Sequence, residues 1–156
     1  MKVRKLAVST LDETIMELAL RTDHKTLAIW AADCAERALP FFEAVRPDDD
    51  RPRKAIAALR TWVENGVFKM SDVRGASLAA HAAARDVAEN NAARSAGRAA
   101  GQAMATAHVR THSVAAAIYA ATAVRDAADS GDADAALKKE RRWQYEHLLD
   151  LTANVG

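Results

Sequence analysis

The sequence is poor in the residues that build strands, tight turns and disulfide bonds. Its 156 residues include one cysteine, three prolines and six glycines, and valine and isoleucine together number 15. No Val-, Ile- or Leu-rich run is long enough for a buried parallel strand, so the sequence disfavours a Rossmann-type sheet. These scarcities also exclude a β-sandwich, a β-barrel and a disulfide-bonded scaffold.

The charges are almost balanced, with 22 Lys and Arg residues against 21 Asp and Glu residues. A general nucleic-acid binder usually has a larger basic excess, so we expect no nucleic-acid partner. No apolar run approaches the ~18 residues of a membrane span, and Asp12 and Glu13 interrupt the apolar stretch that a signal sequence would need. We therefore expect a cytoplasmic protein that does not associate with a membrane.

Alanine, the strongest helix former, is abundant and fills 38 positions. Together with the apolar periodicity it predicts an all-α fold, a compact single-domain array of about seven helices with an Ala-rich, close-packed core. We expect residues 1–9 to form an N-terminal arm and residues 10–156 to form the single helical domain. The predicted helices span about residues 11–21, 24–38, 51–65, 72–89, 92–109, 111–129 and 133–151.

Several helix ends carry recognisable local signals. Thr10 and Glu13 have the spacing of a capping box, in which each side chain accepts a hydrogen bond from a free backbone amide. Asp23 and Ser71 are predicted N-caps of the second and fourth helices. Gly66 is the predicted C-terminal stop of the third helix.

Two helix boundaries are harder to predict. Pro40 lacks an amide proton and clashes with the preceding turn, so we expect it to end or kink the second helix, with a short helical piece at 41–45. No Gly or Pro separates the fifth and sixth helices. A continuous helix over residues 92–129 would nevertheless be about 57 Å long, so we place a break at 109–111.

An alanine-rich core needs close helix contacts and a few large side chains. Gly97 and Gly101 lie on one helix face and let a neighbouring helix approach closely. Because alanine buries little apolar area, the hydrophobic gain must come from larger residues. The predicted anchors are Trp30, Phe41, Phe42, Trp62, Tyr119 and Trp143.

The sequence contains none of the common nucleotide, metalloprotease, hydrolase or dithiol motifs, and it indicates no cofactor. Its polar candidates are histidines and charged residues on alanine-lined helix faces. An unpaired buried polar group costs about 1–3 kcal/mol, so these side chains should seek one another and form a polar pocket. The candidate pocket residues are Asp33, Arg37, His81, Arg85, His108, His112 and Glu140.

Each of these residues also has an ordinary structural interpretation. Asp33 and Arg37 have the i,i+4 spacing of an ion pair on one helix. His108 and His112, also four residues apart, could form a two-histidine metal pair, although core histidines that bond to carbonyls or acids are more common. Cys34 lies on an apolar helix face, which favours a buried inert thiol over a nucleophile.

A charged loop precedes the third predicted helix. Its residues either form a capping cluster or contact a partner, and both interpretations remain open. The candidate contact residues are Asp48, Asp49, Asp50, Arg51 and Arg53.

The same regions carry a family resemblance. The segments at 23–37, 39–43, 48–56, 79–85, 100–109 and 142–144 resemble motifs of the immunity-five-like group, immunity proteins of bacterial polymorphic toxin systems. The resemblance covers about residues 20–150 and implies an all-helical domain that neutralises a cognate toxin. Arg110 departs from the pattern, because a loop-favouring residue, often Pro, is expected at that position.

Two classes of function follow from the sequence. The resemblance implies a stoichiometric inhibitor that binds a cognate toxin protein. Several motif residues, among them Trp30, Cys34 and His81, are predicted to be buried, whereas a binding surface needs exposed side chains. The alternative is therefore a small helical enzyme or ligand-binding protein that uses the interior His/Arg/Asp pocket. The sequence favours the inhibitor and leaves enzymatic activity undecided.

Overall fold

The computed structural model describes residues 5–154, and these form seven α-helices and no strand. This confirms the all-α fold. The predicted break between the fifth and sixth helices is also present. The helices are α1 (Asp12–Leu20), α2 (His24–Glu43), α3 (Arg51–Asn65), α4 (Met70–Asp86), α5 (Asn91–Ala105), α6 (His112–Ala127) and α7 (Ala133–Ala153).

Two of the predicted helix-end signals are confirmed. The Asp23 carboxylate accepts a hydrogen bond from the Thr26 amide at 3.1 Å and caps α2. Gly66 ends α3 in the left-handed conformation, with a φ of 69°, which glycine adopts without the steric penalty of a Cβ atom. A third cap was not predicted: the Asn90 side chain accepts a hydrogen bond from the Ala93 amide at the start of α5.

Two other cap predictions are wrong. At α1, Thr10 and Glu13 form no capping bonds within the described chain. The Asp12 carboxylate instead accepts from the Ser9 amide at 3.0 Å, and the Ser9 hydroxyl accepts from the Leu11 amide at 3.2 Å. Only half of a capping box forms, because the Asp12 amide donates to the Ser9 backbone carbonyl rather than to the Ser9 hydroxyl. At α4 the residue before the helix is Lys69, and Ser71 lies inside the first turn without a capping bond.

Pro40 does not end the second helix. α2 continues through Pro40 to Glu43, and the Pro40 carbonyl accepts a hydrogen bond from the Ala44 amide at 2.9 Å. The separate helical piece predicted at 41–45 is therefore the last turn of α2. Proline removes one backbone hydrogen bond, but the continued helix places Leu39 and Phe42 in the core, where both are almost fully buried.

α5 lies at the centre of the molecule and packs against α2, α3, α4 and α6. α7 packs on α2 and α6, and α1 lies against α6 and α7. Small residues on α5 permit this arrangement. A Cβ atom on Gly97 would lie 3.0 Å from the Ala84 Cβ atom of α4, which confirms the predicted close approach at Gly97 and Gly101. None of the helices in the described part of the chain has the length and hydropathy to cross a membrane.

The large side chains predicted as core anchors differ in how completely they are buried. Trp30 and Phe42 are fully buried. The remaining anchors pack at the edge of the core and are partly buried: Phe41, Trp62, Tyr119 and Trp143.

The described part of the predicted N-terminal arm lies on α6. The Ala7 amide donates to the Thr122 hydroxyl at 3.0 Å, and the Arg125 guanidinium donates to the Lys5 carbonyl at 2.6 Å. Residues 1–4 of the predicted arm, and residues 155–156 of the predicted domain, lie outside the described residues.

Candidate functional site

The structure divides the seven predicted pocket residues into two groups. Asp33, Arg37 and Glu140 lie where α2 meets α7. The other four belong to α4, to the α5–α6 connection and to the first turn of α6: His81, Arg85, His108 and His112. No hydrogen bond, ion pair or ring contact between described residues joins the two groups.

Glu140 and Arg37 form the central contact of the α2–α7 group. The Arg37 guanidinium donates two hydrogen bonds to the Glu140 carboxylate, at 2.8 and 2.9 Å. Glu140 is 5% exposed, so this bidentate pair satisfies a carboxylate that is removed from water. The Glu140 carboxylate raises the pKa of Arg37. The guanidinium also lies 3.9 Å above the Trp143 ring, at cation–π distance.

Asp33 does not form the predicted ion pair with Arg37. Its two carboxylate oxygens instead bind other helices, accepting from Arg60 of α3 at 2.9 Å and from His147 of α7 at 2.7 Å. The His147 ring stacks on Trp143 with 4.7 Å between centroids. The i,i+4 rule failed here because tertiary contacts supplied both residues with better-placed partners.

A shallow depression of about 350 Å³ lies over this group and is lined by Asp33, Glu36, Arg37, Trp143 and His147. The carboxylate–imidazole contact of Asp33 with His147 is of the kind that orients a general base. None of the lining side chains is a hydroxyl or thiol nucleophile. The group consists of paired charges packed against aromatic rings. Such a surface is better suited to contact with a partner molecule than to nucleophilic catalysis.

The nearest thiol does not change this conclusion. Cys34 is fully buried, as predicted, and burial raises its pKa well above the usual value. The thiolate, which is the reactive form, is therefore disfavoured.

His81 is the residue of the second group with a buried polar atom that is unsatisfied within the described chain. Its Nδ1 atom is buried and has no hydrogen-bond partner, and its ring packs against the Gly101 backbone of α5. Burial, together with the positive charges of Arg98 and Arg85, lowers the pKa of His81. The ring is therefore neutral at pH 7.

His108 in the α5–α6 connection and His112 at the start of α6 have separate contacts. His112 Nδ1 lies 2.7 Å from the Gln102 side-chain oxygen, and burial followed by the nearby His108 lowers the pKa of His112. His108 is exposed and stacks on Phe68 at 5.8 Å. Among residues 5–154, no group of three or more His, Cys, Asp or Glu side chains could hold a metal ion.

The charged loop before α3 is a junction between helices. Arg51 pairs with Asp49 and with Asp86 at the end of α4, in each case at 2.7 Å, and Arg53 pairs with Glu43 at the end of α2. Lys54 pairs with Asp50, whereas Asp48 is exposed and forms no ion pair within the described chain. Arg51 lowers the pKa of Asp49, and Arg53 lowers that of Glu43.

Sequence reasoning missed a buried network on α7. Arg141 is 2% exposed and donates to Gln144 at 2.8 Å and to Asp12 of α1 at 2.7 Å. The Gln144 side-chain amide donates to the Ala117 carbonyl of α6. The Gln144 backbone carbonyl accepts from the Trp30 indole at 2.8 Å. The motif at 142–144 pointed to this region, but nothing local distinguishes Arg141 from an exposed arginine.

Arg110 was also missed. Its guanidinium donates to the Ala19 carbonyl at 3.2 Å and to the Leu20 carbonyl at 2.9 Å. These carbonyls are the last of α1, where a cation also interacts favourably with the helix dipole. The residue that departs from the family pattern thus joins the α5–α6 connection to the end of α1.

These contacts define an all-helical protein whose polar residues mostly hold its helices together. The chain belongs to the family described as Imm-5 like putative immunity protein, whose model matches residues 17–151. This confirms the family resemblance inferred from the sequence. No curated protein and no solved structure shows a significant match to the chain.

Proposed function

We propose that this chain is an immunity protein that binds a cognate bacterial toxin stoichiometrically and neutralises it inside the producing cell. The observation that carries the proposal is family membership over residues 17–151, which includes most of the helical domain. In this proposal the toxin is a protein of a polymorphic toxin system, and the immunity protein acts by covering a toxin surface.

The α2–α7 group gives no support for nucleophilic catalysis. Asp33, Arg37 and Glu140 are occupied by partners from other helices. Cys34 is buried with a raised pKa. A catalytic nucleophile needs an adjacent base or a lowered pKa, and neither condition is met by this thiol.

The alternative is a ligand-binding or enzymatic role for the interior polar residues. One observation favours it: His81 Nδ1 is buried and has no partner in the described chain. Buried polar atoms are normally hydrogen-bonded, and a small polar ligand could supply the missing bond.

Co-expression tests the proposed function. The proposal predicts that a toxic domain is encoded beside this gene. Cells that produce that domain should grow only when this chain is co-expressed, and a toxin of another family should remain lethal. A stable complex of the two purified proteins is expected. Growth arrest despite soluble co-expressed protein would overturn the proposal.

The role of the charged loop as a contact site remains a prediction. Its residues are Asp48, Asp49, Asp50, Arg51 and Arg53. Most of its charges are already paired within the molecule. Charge reversal at Asp48, which is exposed and unpaired, tests the loop without breaking a structural ion pair.

A further inference from the structure

Three arginines at one side of the molecule have no internal partner. Arg74, Arg85 and Arg98 form neither a hydrogen bond nor an ion pair with any residue of the described part of the chain. By contrast, several other arginines bind a carboxylate: Arg37, Arg51, Arg53, Arg60 and Arg141.

Two of these unpaired arginines lie along one face of α4, and the third lies on the adjacent α5. Arg74, Leu78, His81 and Arg85 follow one another at spacings of four, three and four residues, which places them on one face of α4. Arg98 lies one turn before Gly101 on the adjacent α5, and the Gly101 backbone packs against the His81 ring. We call these five residues the α4–α5 cationic face.

The two carboxylates of α4, Asp72 and Asp86, do not neutralise the cationic face, and Asp86 pairs with Arg51 of α3. Residues 73–85, which include most of α4, contain no Asp or Glu, and neither do residues 90–125, which include all of α5. Asp72 lies on the opposite side of α4 from His81, because nine residues correspond to two and a half turns. The overall charge of +1 therefore hides a local basic surface.

An apolar groove adjoins the cationic face. It has a volume of about 160 Å³ and is lined by Met70, Val73, Arg74, Ser77, Leu78, Ala105 and His108. Leu78 is 58% exposed at its edge, and Phe68, which stacks on His108, is 41% exposed. A cavity of this size accepts one benzene-sized group, and apolar centres flanked by arginine are typical of protein interfaces.

We propose that the α4–α5 cationic face and its groove dock an acidic segment of a partner protein. Carboxylates of that segment pair with Arg74, Arg85 and Arg98, and one of its apolar side chains enters the groove. This inference rests on the proposed function, with the toxin as partner. The groove favours a protein over a nucleic acid, because it is lined mostly by aliphatic side chains, whereas nucleic-acid bases bind by stacking on flat aromatic rings.

The docking surface can be mapped without the toxin. The probes are a short peptide of glutamates around one central phenylalanine and an oligothymidylate of equal charge, each titrated into ¹⁵N-labelled protein. The peptide should shift amide resonances of residues 70–86 and 98–109, and replacing its phenylalanine with alanine should weaken binding severalfold. Shifts centred on Lys138, Lys139 and Arg142 would overturn the proposal.

Two further outcomes of the titration also contradict it. Tighter binding of the oligothymidylate to the same face would identify a nucleic-acid surface. Shifts that depend on protein concentration in the absence of probe would show that a second copy of the chain covers the face.

Charge reversal then tests the face with the toxic domain. The Arg74→Glu/Arg85→Glu variant should lose at least tenfold in affinity and should no longer protect cells, because the new carboxylates repel the acidic segment. Both residues are exposed, so the fold should be unaffected. Leu78→Ala, at another exposed position, should also weaken binding. The matched control is Arg142→Glu on α7, an exposed arginine that is likewise unpaired within the described chain and should bind normally.

The outcomes separate the inference from the proposed function. If the wild-type chain and both variants bind and protect equally, the docking site is wrong and the immunity function stands. If the wild-type chain neither binds nor protects, the function fails. The peptide map then still decides whether the face accepts an acidic segment.

Discussion

The His81 ring occupies the space that a side chain at position 101 would need. A Cβ atom on Gly101 would lie 2.6 Å from His81 Nε2 and 2.7 Å from Cδ2, closer than real Cβ contacts. The Gly101 carbonyl also accepts a hydrogen bond from Ser77 at 2.9 Å. Glycine at this position therefore lets α4 lie directly against α5 and places His81 beside Arg98.

The first prediction concerns this contact. Gly101→Ala should displace the His81 ring and lower the free energy of unfolding by about 1 kcal/mol or more, as measured by urea denaturation. In a His81→Ala background the same change should cost less, because the ring is gone.

Gly75→Ala is the matched control. Gly75 also lies inside a helix, but nothing stands within 4 Å of the Cβ position. Alanine there should stabilise the protein by about 0.5–1 kcal/mol. Equal stability of Gly101→Ala and Gly75→Ala would contradict the close packing.

The second prediction compares two bidentate Arg–Glu pairs. Removal of Arg37 leaves the buried Glu140 carboxylate without its partner, so Arg37→Ala should destabilise the protein by about 1–3 kcal/mol. Arg53 binds Glu43 with the same geometry in a far more exposed setting. Arg53→Ala should leave the thermal midpoint nearly unchanged, and a larger loss there than at Arg37 would contradict the account.

The third prediction is a pH dependence of stability. Burial and the nearby arginines lower the pKa of His81 below 6.5 in the folded state. Below pH 6.5 the unfolded chain therefore binds the proton more readily than the folded one. The stabilisation is complete above that pH and is lost as pH falls through the folded pKa.

Urea titrations at pH 7.5 and pH 5 measure this effect. The wild-type protein should lose stability between pH 7.5 and pH 5 as its histidines take up protons, and His81→Ala should lose clearly less. His112, whose pKa is also lowered, accounts for a remaining part. Identical losses in the two proteins would show that His81 titrates normally in the folded state.

The fold could be predicted from sequence wherever local chemistry determines the outcome. The Asp23 cap and the Gly66 stop depend on a few neighbouring atoms, and both were found. The continuation of α2 past Pro40 depends on the burial of Phe42 against other helices. That energy is tertiary, and a proline rule does not include it.

The candidate site was harder to predict, because its partners come from distant parts of the chain. The sequence correctly identified Arg37 and Glu140 as polar residues in need of partners, and they bind each other across 103 positions. It could not show that Asp33 faces Arg60 and His147. In the sequence Arg141 resembles an exposed arginine, because its partner Asp12 lies on α1, far away in the chain.

The most direct test of the account is a titration of the purified toxic domain with this chain, in which the toxin's own activity is measured. Stoichiometric neutralisation predicts a linear fall in activity that reaches zero at one equivalent. The Arg74→Glu/Arg85→Glu variant should require a large excess. Undiminished toxin activity at several equivalents, or complete loss at a small fraction of one equivalent, would contradict neutralisation by binding.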